Sequence, residues 1–199
     1  MRVLIAYPPM LSAKGSPMLT QNRQFQWFHE PSYLYPCVPA YAATLLQSEG
    51  HEVAWCDAIA EKKDWGQFSS LLESFQPELV LMETKSPVVR QHWTMVDRIR
   101  ALVPGVRTVL MGDHITGNPA ESMEHSNVDY LFTGGDWDFL AQNLVNHISR
   151  GDTLAGGIWY RNDDGTASDT GPYKNLGDLN ALPFIDRDLT NANLYFEKW

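Results

Sequence analysis

Short, continuous apolar runs recur along this 199-residue chain and alternate with segments long enough to form helices. Strands that are apolar on every residue, rather than on alternate residues, are typical of a sheet covered on both faces. Helices between successive strands imply crossover connections, so the strands should lie parallel. The pattern predicts an α/β fold with a doubly wound, five-stranded, mostly parallel sheet. The five predicted strands are Val3–Ala6, Glu52–Cys56, Leu79–Met82, Val106–Met111 and Tyr130–Phe132.

Helix-ending residues follow the segments between these runs, such as Gly50 and Pro77. A flavodoxin-like (Rossmann-like) strand order of 2-1-3-4-5 would place Glu52–Cys56 at one edge. The predicted helices are Pro39–Glu49, Trp65–Phe75, Val88–Val103, a short one around Ala120–His125, and Trp137–Ile148.

The last fifty residues have a different character. The segment Gly157–Tyr160, followed by Asp163-Asp164-Gly165, predicts a small hairpin appended to the sheet. Beyond Gly171 the chain is loop-like and ends at Trp199 without a closing signal. We therefore expect residues 1–150 to form the α/β domain, and residues 151–199 to be a hairpin and linker leading into a longer protein.

A long loop, Met10–Pro36, separates the first strand from the first helix. Loops of this length in compact domains are usually functional or disordered. Its aromatic residues indicate that it packs against the ligand cleft or a neighbouring domain. They include Trp27, Phe28, Tyr33 and Tyr35.

Charge and composition exclude several classes of function. A net charge of −9 and a pI near 5.0 argue against nucleic acid and anionic membranes as partners. The first apolar run is too short for a signal peptide or a membrane span. Two cysteines, Cys37 and Cys56, are too few for a disulfide framework or an iron–sulfur cluster. We expect a cytoplasmic protein.

Candidate ligand-binding residues follow the strands, because open parallel sheets bind ligands beyond their carboxyl ends where the strand order reverses. Glycine there admits close approach to the backbone, and hydroxyls and free N–H groups can bind polar ligands. Ordinary turn chemistry is the alternative explanation. No Gly-x-Gly-x-x-Gly motif, Walker lysine or acidic receiver pair is present. The candidates are Tyr7, Pro8, Pro9, Thr84, Lys85, Ser86, Gly112, Asp113, His114, Thr116, Thr133, Gly134, Gly135 and Asp136.

An ordered set of short motifs resembles the cobalamin-binding N-terminal domain of cobalamin-dependent radical S-adenosylmethionine (SAM) enzymes. Tyr7-Pro8-Pro9 resembles that family's Asn-Pro-Pro, and Gly50-His51-Glu52-Val53 its Gly-His-Glu-Val. The segment Met111–Thr116 is similar to its Gly-Gly-Pro-His-Ala-Thr loop, and 135–138 to its Gly-Glu-Gly-Glu turn. Leu182-Pro183-Phe184 resembles the linker toward the catalytic barrel.

This resemblance implies a domain that binds cobalamin, and hence a metal ion, and supports methyl transfer or related radical chemistry. It implies a C-terminal radical SAM domain as partner, which would hold the 4Fe-4S cluster and S-adenosylmethionine. It also implies that His114 belongs to the cofactor loop. No Asp-x-His-x-x-Gly loop follows the first strand, so we expect cobalamin to bind without a histidine axial ligand.

Several residues differ from the family's motifs, so functions other than cobalamin binding remain alternatives. Trp137 replaces a glycine, Asp113 replaces a proline, and Asp136 and Asp138 replace glutamates. A domain that has lost cobalamin and acts in interaction or substrate recognition is therefore the alternative, with a plain flavodoxin-like small-molecule binder as the third. The histidines His92, His125 and His147 fall on predicted helices and are expected to face solvent.

Overall fold

A seven-stranded sheet lies at the centre of the computed structural model, which describes residues 1–10, 12–19, 25–30, 33–174 and 177–196. The strands are β1 (Arg2–Tyr7), β2 (Ser16–Pro17), β3 (Trp27–Phe28), β4 (Glu52–Asp57), β5 (Leu79–Glu83), β6 (Arg107–Met111), β7 (Tyr130–Phe132), β8 (Ile158–Arg161) and β9 (Ala167–Asp169). All except β2 and β3 belong to the central sheet, in the order β4-β1-β5-β6-β7-β8-β9.

The first five strands of this order pair in parallel, which confirms the predicted doubly wound α/β class. As expected, β4 forms one edge. Successive residues of β1 point to opposite faces, and both faces are buried. Val3 and Ile5 join one core cluster, whereas Leu4 and Ala6 join the other.

Helices cover both faces of the sheet. The helices are α1 (Cys37–Ser48), α2 (Trp65–Phe75), α3 (Val89–Leu102), α4 (Asp113–Gly117), α5 (Pro119–His125), α6 (Trp137–Arg150) and α7 (Asn193–Phe196). Helices α1 and α6 pack on the face that carries Val3 and Ile5, and α2 and α3 pack on the opposite face. Among the described residues, no helix is long and apolar enough to cross a membrane.

The C-terminal hairpin extends the sheet, so the predicted count of five strands is wrong. Strand β8 pairs antiparallel with β7, and β9 pairs antiparallel with β8. Without β8, the outer edge of β7 would leave a row of unpaired backbone groups. Pairing with the hairpin satisfies these backbone groups. The strand count was wrong because apolar runs reveal only strands that are buried on both faces, and β8 and β9 are not such strands.

The described parts of the long Met10–Pro36 loop pack over the end of β1. Met10 and Leu19 are buried against Tyr7, and Phe25 and Trp27 pack beside them. Strands β2 and β3 form a short antiparallel pair within the loop. Residues 11, 20–24 and 31–32 of this loop lie outside the described residues.

Candidate functional site

The point where the strand order reverses lies between β1 and β5, because β4 pairs with one side of β1 and β5 with the other. Ligands of open parallel sheets bind beyond the carboxyl ends of the strands at such a point. Tyr7 ends β1 and Glu83 ends β5, so their side chains meet there. The candidate site is therefore built outward from these two residues.

A buried polar cluster fills this point. The Tyr7 hydroxyl donates a hydrogen bond of 2.6 Å to Glu83 Oε2. Lys85 Nζ lies 4.0 Å from Glu83 Oε1 and 2.6 Å from Asp113 Oδ2. Tyr7, Glu83 and Lys85 are 2%, 1% and 5% exposed. Buried polar side chains therefore occupy the position at which open parallel sheets usually bind ligands.

The protonation of Glu83 is poised near neutral pH. Burial raises its pKa to about 7, because the charged carboxylate loses hydration. The hydrogen bond from Tyr7 and the charge of Lys85 lower the pKa of Glu83 and so offset part of this rise. Burial and the Glu83 charge raise the pKa of Tyr7, so its phenol stays protonated and remains a donor.

A second buried carboxyl group lies at the end of β4. Asp57 accepts a hydrogen bond of 2.7 Å from the Tyr195 hydroxyl and one of 2.9 Å from the Ala60 backbone N–H. Burial raises the pKa of Asp57 to about 6, although both hydrogen bonds lower it. The C-terminal segment is thus held against the carboxyl end of β4, and the ring of Tyr35 packs edge-on against Tyr195 at 5.3 Å.

Thr84, expected among the ligand-binding residues, is fully buried beneath the loops. Its Oγ1 lies 2.9 Å from His92 Nδ1. His92 is also fully buried, so the expectation that it faces solvent is wrong. It belongs to the inward-facing row of α3, together with Val89, Trp93, Val96 and Ile99. This spacing is visible in the sequence. Burial lowers the pKa of His92 to about 4, which keeps its ring neutral.

Gly112, at the end of β6, packs against the backbone of the neighbouring strand end. Its φ is +117°, and a Cβ added there would lie 2.2 Å from the Thr84 carbonyl oxygen. Only glycine tolerates that conformation and that approach. This glycine therefore allows the loops after β5 and β6 to pack together, and its predicted contact with a ligand stays a prediction.

His114 follows Gly112 and is 9% exposed. Its Nδ1 lies 3.1 Å from Ser86 Oγ, and its Nε2 lies 3.4 Å from Glu121 Oε2. The Trp93 ring packs near it, with 6.3 Å between ring centroids. The Nδ1 contact ties α4 to the β5 loop, whereas Nε2 is buried without a hydrogen-bond partner among the described residues.

The loop after β7 is partly covered from within the chain. The Tyr173 ring packs on Gly134, where an added Cβ would come within 2.4 Å of it. The Trp137 indole N–H donates a 3.0 Å hydrogen bond to the Gly134 carbonyl oxygen. Thr133 Oγ1 donates to the Gly157 carbonyl oxygen at 2.9 Å, which ties the loop to the hairpin. By contrast, Gly135 has open space at its Cβ position.

A strip of accessible residues lies along the carboxyl ends of β5, β6 and β7. Hydrogen bonds join its loops, because Lys85 Nζ donates to Asp113 and the Gly134 N–H donates to Thr116 Oγ1 at 3.1 Å. We call it the exposed strip; its members are the exposed residues Ser86, Asp113, Thr116, Gly117 and Gly135. Asp136 is half-buried beside it.

Tyr7-Pro8-Pro9 lies on the other side of the strand reversal. Pro8 is buried and Pro9 half-buried, and with Met10 they border a crevice against α3. No group of three or more His, Cys, Asp or Glu side chains that could hold a metal ion occurs among the described residues. The hydroxyl, carboxylate and backbone groups of the exposed strip are suited to polar contacts with a ligand.

Comparison with known proteins identifies the fold. The chain has a TM-score of 0.60 to the radical S-adenosylmethionine methyltransferase TsrM from Kitasatospora setae, solved with cobalamin and a 4Fe-4S cluster bound. The identity is 21%, over 92% of this chain and 30% of that chain. The cobalamin-dependent S-adenosylmethionine radical enzyme OxsB, with aqua-cobalamin and S-adenosylmethionine bound, gives a TM-score of 0.63 at 11% identity. That match covers 87% of this chain and 22% of OxsB.

The apo form of OxsB aligns with 98% of this chain at a TM-score of 0.63 and 10% identity. No protein-family model and no curated protein matches the chain. These solved structures are cobalamin-dependent or cobalamin-bound radical SAM enzymes, and the chain spans less than a third of their length. The chain therefore has the fold of one segment of those enzymes, as the resemblance predicts.

Proposed function

We propose that this chain is the cobalamin-binding portion of a cobalamin-dependent radical SAM enzyme. The observation that carries this proposal is the structural match, which extends over nearly the whole chain and includes two different enzymes of that class. It is supported independently by the ordered motifs in the strand-end loops. The partner would be the radical SAM domain that holds the 4Fe-4S cluster and S-adenosylmethionine. We also propose that the protein works in the cytoplasm.

The exposed strip is where we place the cofactor. Its residues are exposed, which suits contact with the face of a large planar macrocycle covered on its other side by a second domain. Ser86, Asp113 and Thr116 offer hydroxyl and carboxylate groups, and Gly117 and Gly135 leave their backbones accessible. Hydrogen bonds of this kind contribute about 0.5–1.5 kcal/mol each, so several loops must act together.

Other members of the predicted site support the strip from below. Tyr7, Lys85 and Thr84 are buried, and Gly112 packs on the Thr84 backbone. No Asp-x-His-x-x-Gly loop follows the first strand, so we propose that cobalamin binds without a histidine axial ligand. Bound cobalamin would supply a cobalt centre for methyl transfer or related radical chemistry, and this chain would position it.

Titration with hydroxocobalamin, followed by visible absorption and calorimetry, tests the proposal. We expect saturable binding, and at least about tenfold weaker binding in Gly135→Val, because the new side chain would fill open space on the strip. The control is Ser74→Val, an exposed position at the far end of α2. Absence of saturable binding, or equal binding by Gly135→Val and the wild-type chain, would contradict the proposal.

A cobalamin-free interaction or substrate-recognition module is the second candidate. It is favoured by the Tyr173 ring on Gly134 and by the side chains that fill the point of strand reversal. On this alternative the chain would bind its radical SAM domain but not hydroxocobalamin. Measuring both interactions with the same purified chain separates the two functions.

A further inference from the structure

A crevice next to the point of strand reversal stays open on the α3 side. It lies between the segment Pro8–Met10, which follows β1, and the outer surface of α3, which follows β5. The cavity volume is about 220 Å³. Because a water molecule occupies about 30 Å³ in the liquid, this space holds roughly seven waters or one small organic molecule. It is too small for a corrin macrocycle.

The floor of the crevice is apolar and its rim is polar. Met10 and Met95 are 9% and 7% exposed, and Pro8 is buried beside them. The exposed residues Gln91 and Thr94 border the opening. Small-molecule sites typically combine an apolar lining with a few polar groups that fix orientation.

Arg98 supplies the charge at this crevice. Its guanidinium carbon lies 3.5 Å from the centroid of the Trp65 ring, so the group is held on the indole face. All N–H groups of a guanidinium lie in its own plane, so stacking uses none of them. Among the described residues, the Arg98 guanidinium forms no hydrogen bond and no ion pair. On the same helix, Arg100 is already paired with both carboxylate oxygens of Asp129, at 2.6 Å each.

An arginine that is fixed by an aromatic ring and keeps its donors free is suited to bidentate recognition of a carboxylate. We propose that this crevice binds a small carboxylic acid with an apolar body, with Arg98 holding the carboxylate and Met10 and Met95 contacting the body. This site is separate from the exposed strip and does not depend on cobalamin.

Benzoate is the probe, and benzamide is its neutral control of nearly the same shape. Binding is followed by the NMR shift of the Trp65 indole N–H, which the Trp65→Phe variant identifies among the seven tryptophans. We expect the shift to saturate with benzoate. The apparent dissociation constant for benzamide should be at least about tenfold higher than that for benzoate. Inorganic phosphate should bind more weakly than benzoate, because it does not use the apolar floor.

Substitutions on α3 test the role of Arg98. Arg98→Met should weaken benzoate binding at least about tenfold, and Arg98→Lys should bind with intermediate affinity because lysine lacks the planar fork. Arg90→Met, an exposed arginine of the same helix that does not border the crevice, is the matched control and should bind like the wild-type chain. Equal binding of benzoate and benzamide, tighter binding of phosphate, or equal losses in Arg98→Met and Arg90→Met would overturn the proposal.

Discussion

At the scale of single residues, the buried carboxyl group of Glu83 couples the stability of the fold to pH. Its pKa in the folded chain is raised to about 7 from an ordinary value of 4.5. The folded state therefore binds this proton more tightly than the unfolded state does. The resulting stabilisation is fully present below about pH 4.5, and it is lost as the pH rises through 7.

The variant Glu83→Gln should remove this dependence while keeping an acceptor for the Tyr7 hydroxyl. Between about pH 5 and about pH 8, the free energy of unfolding of the wild-type chain should fall by about 2–3 kcal/mol more than that of the variant. Urea unfolding at several pH values measures this difference. The exposed Glu124→Gln is the control, and parallel pH profiles for Glu83→Gln and the wild-type chain would rule out the coupling.

Some residue positions could be predicted from the sequence, and others could not. The inward position of His92 follows from the spacing of its apolar neighbours on α3 and could have been predicted. The hydrogen bond between Tyr7 and Glu83 joins residues 76 positions apart, and the contact of Tyr173 with Gly134 depends on the path of the C-terminal segment. Such contacts depend on three-dimensional packing, for which periodicity carries no signal.

At the scale of elements, the junction of β5 and β6 depends on one glycine. Gly112→Ala would place a Cβ 2.2 Å from the Thr84 carbonyl oxygen at a φ of +117°. We expect it to destabilise the chain by at least about 3 kcal/mol, since both strain and a backbone clash result. Gly117→Ala, at the end of α4 with open space around it, should be neutral or stabilise by up to about 1 kcal/mol. Thermal or urea unfolding compares the two, and similar stabilities would contradict this account.

The elements themselves were largely predictable, because burial on both faces and helical spacing are local properties of the sequence. The five parallel strands, of which β4 forms the edge, lie where the apolar runs predict. The place of β8 beside β7 was missed, because its pairing depends on which sheet edge the hairpin reaches. The candidate loops were located correctly at the strand ends, but which of their side chains are exposed could not be predicted.

At the scale of the whole molecule, the carboxyl end of the sheet divides into two surfaces on either side of a buried polar cluster. The exposed strip lies over β5, β6 and β7, and the small crevice lies between Pro8–Met10 and α3. The solved structures with the same fold are more than three times as long as this chain, and the proposed function pairs the chain with a second domain. We therefore expect the strip, rather than an enclosed cavity, to be the cofactor surface.

Hydrogen–deuterium exchange of the chain with and without hydroxocobalamin measures binding and its location together, so it decides whether the exposed strip is the cofactor surface. We predict slower exchange of backbone amides in three segments, 85–86, 113–117 and 134–136, when the cofactor is bound. Exchange in β8 and β9 should stay unchanged, since they lie at the far edge of the sheet. Unchanged exchange in all three segments, or protection confined to other parts of the chain, would contradict the account.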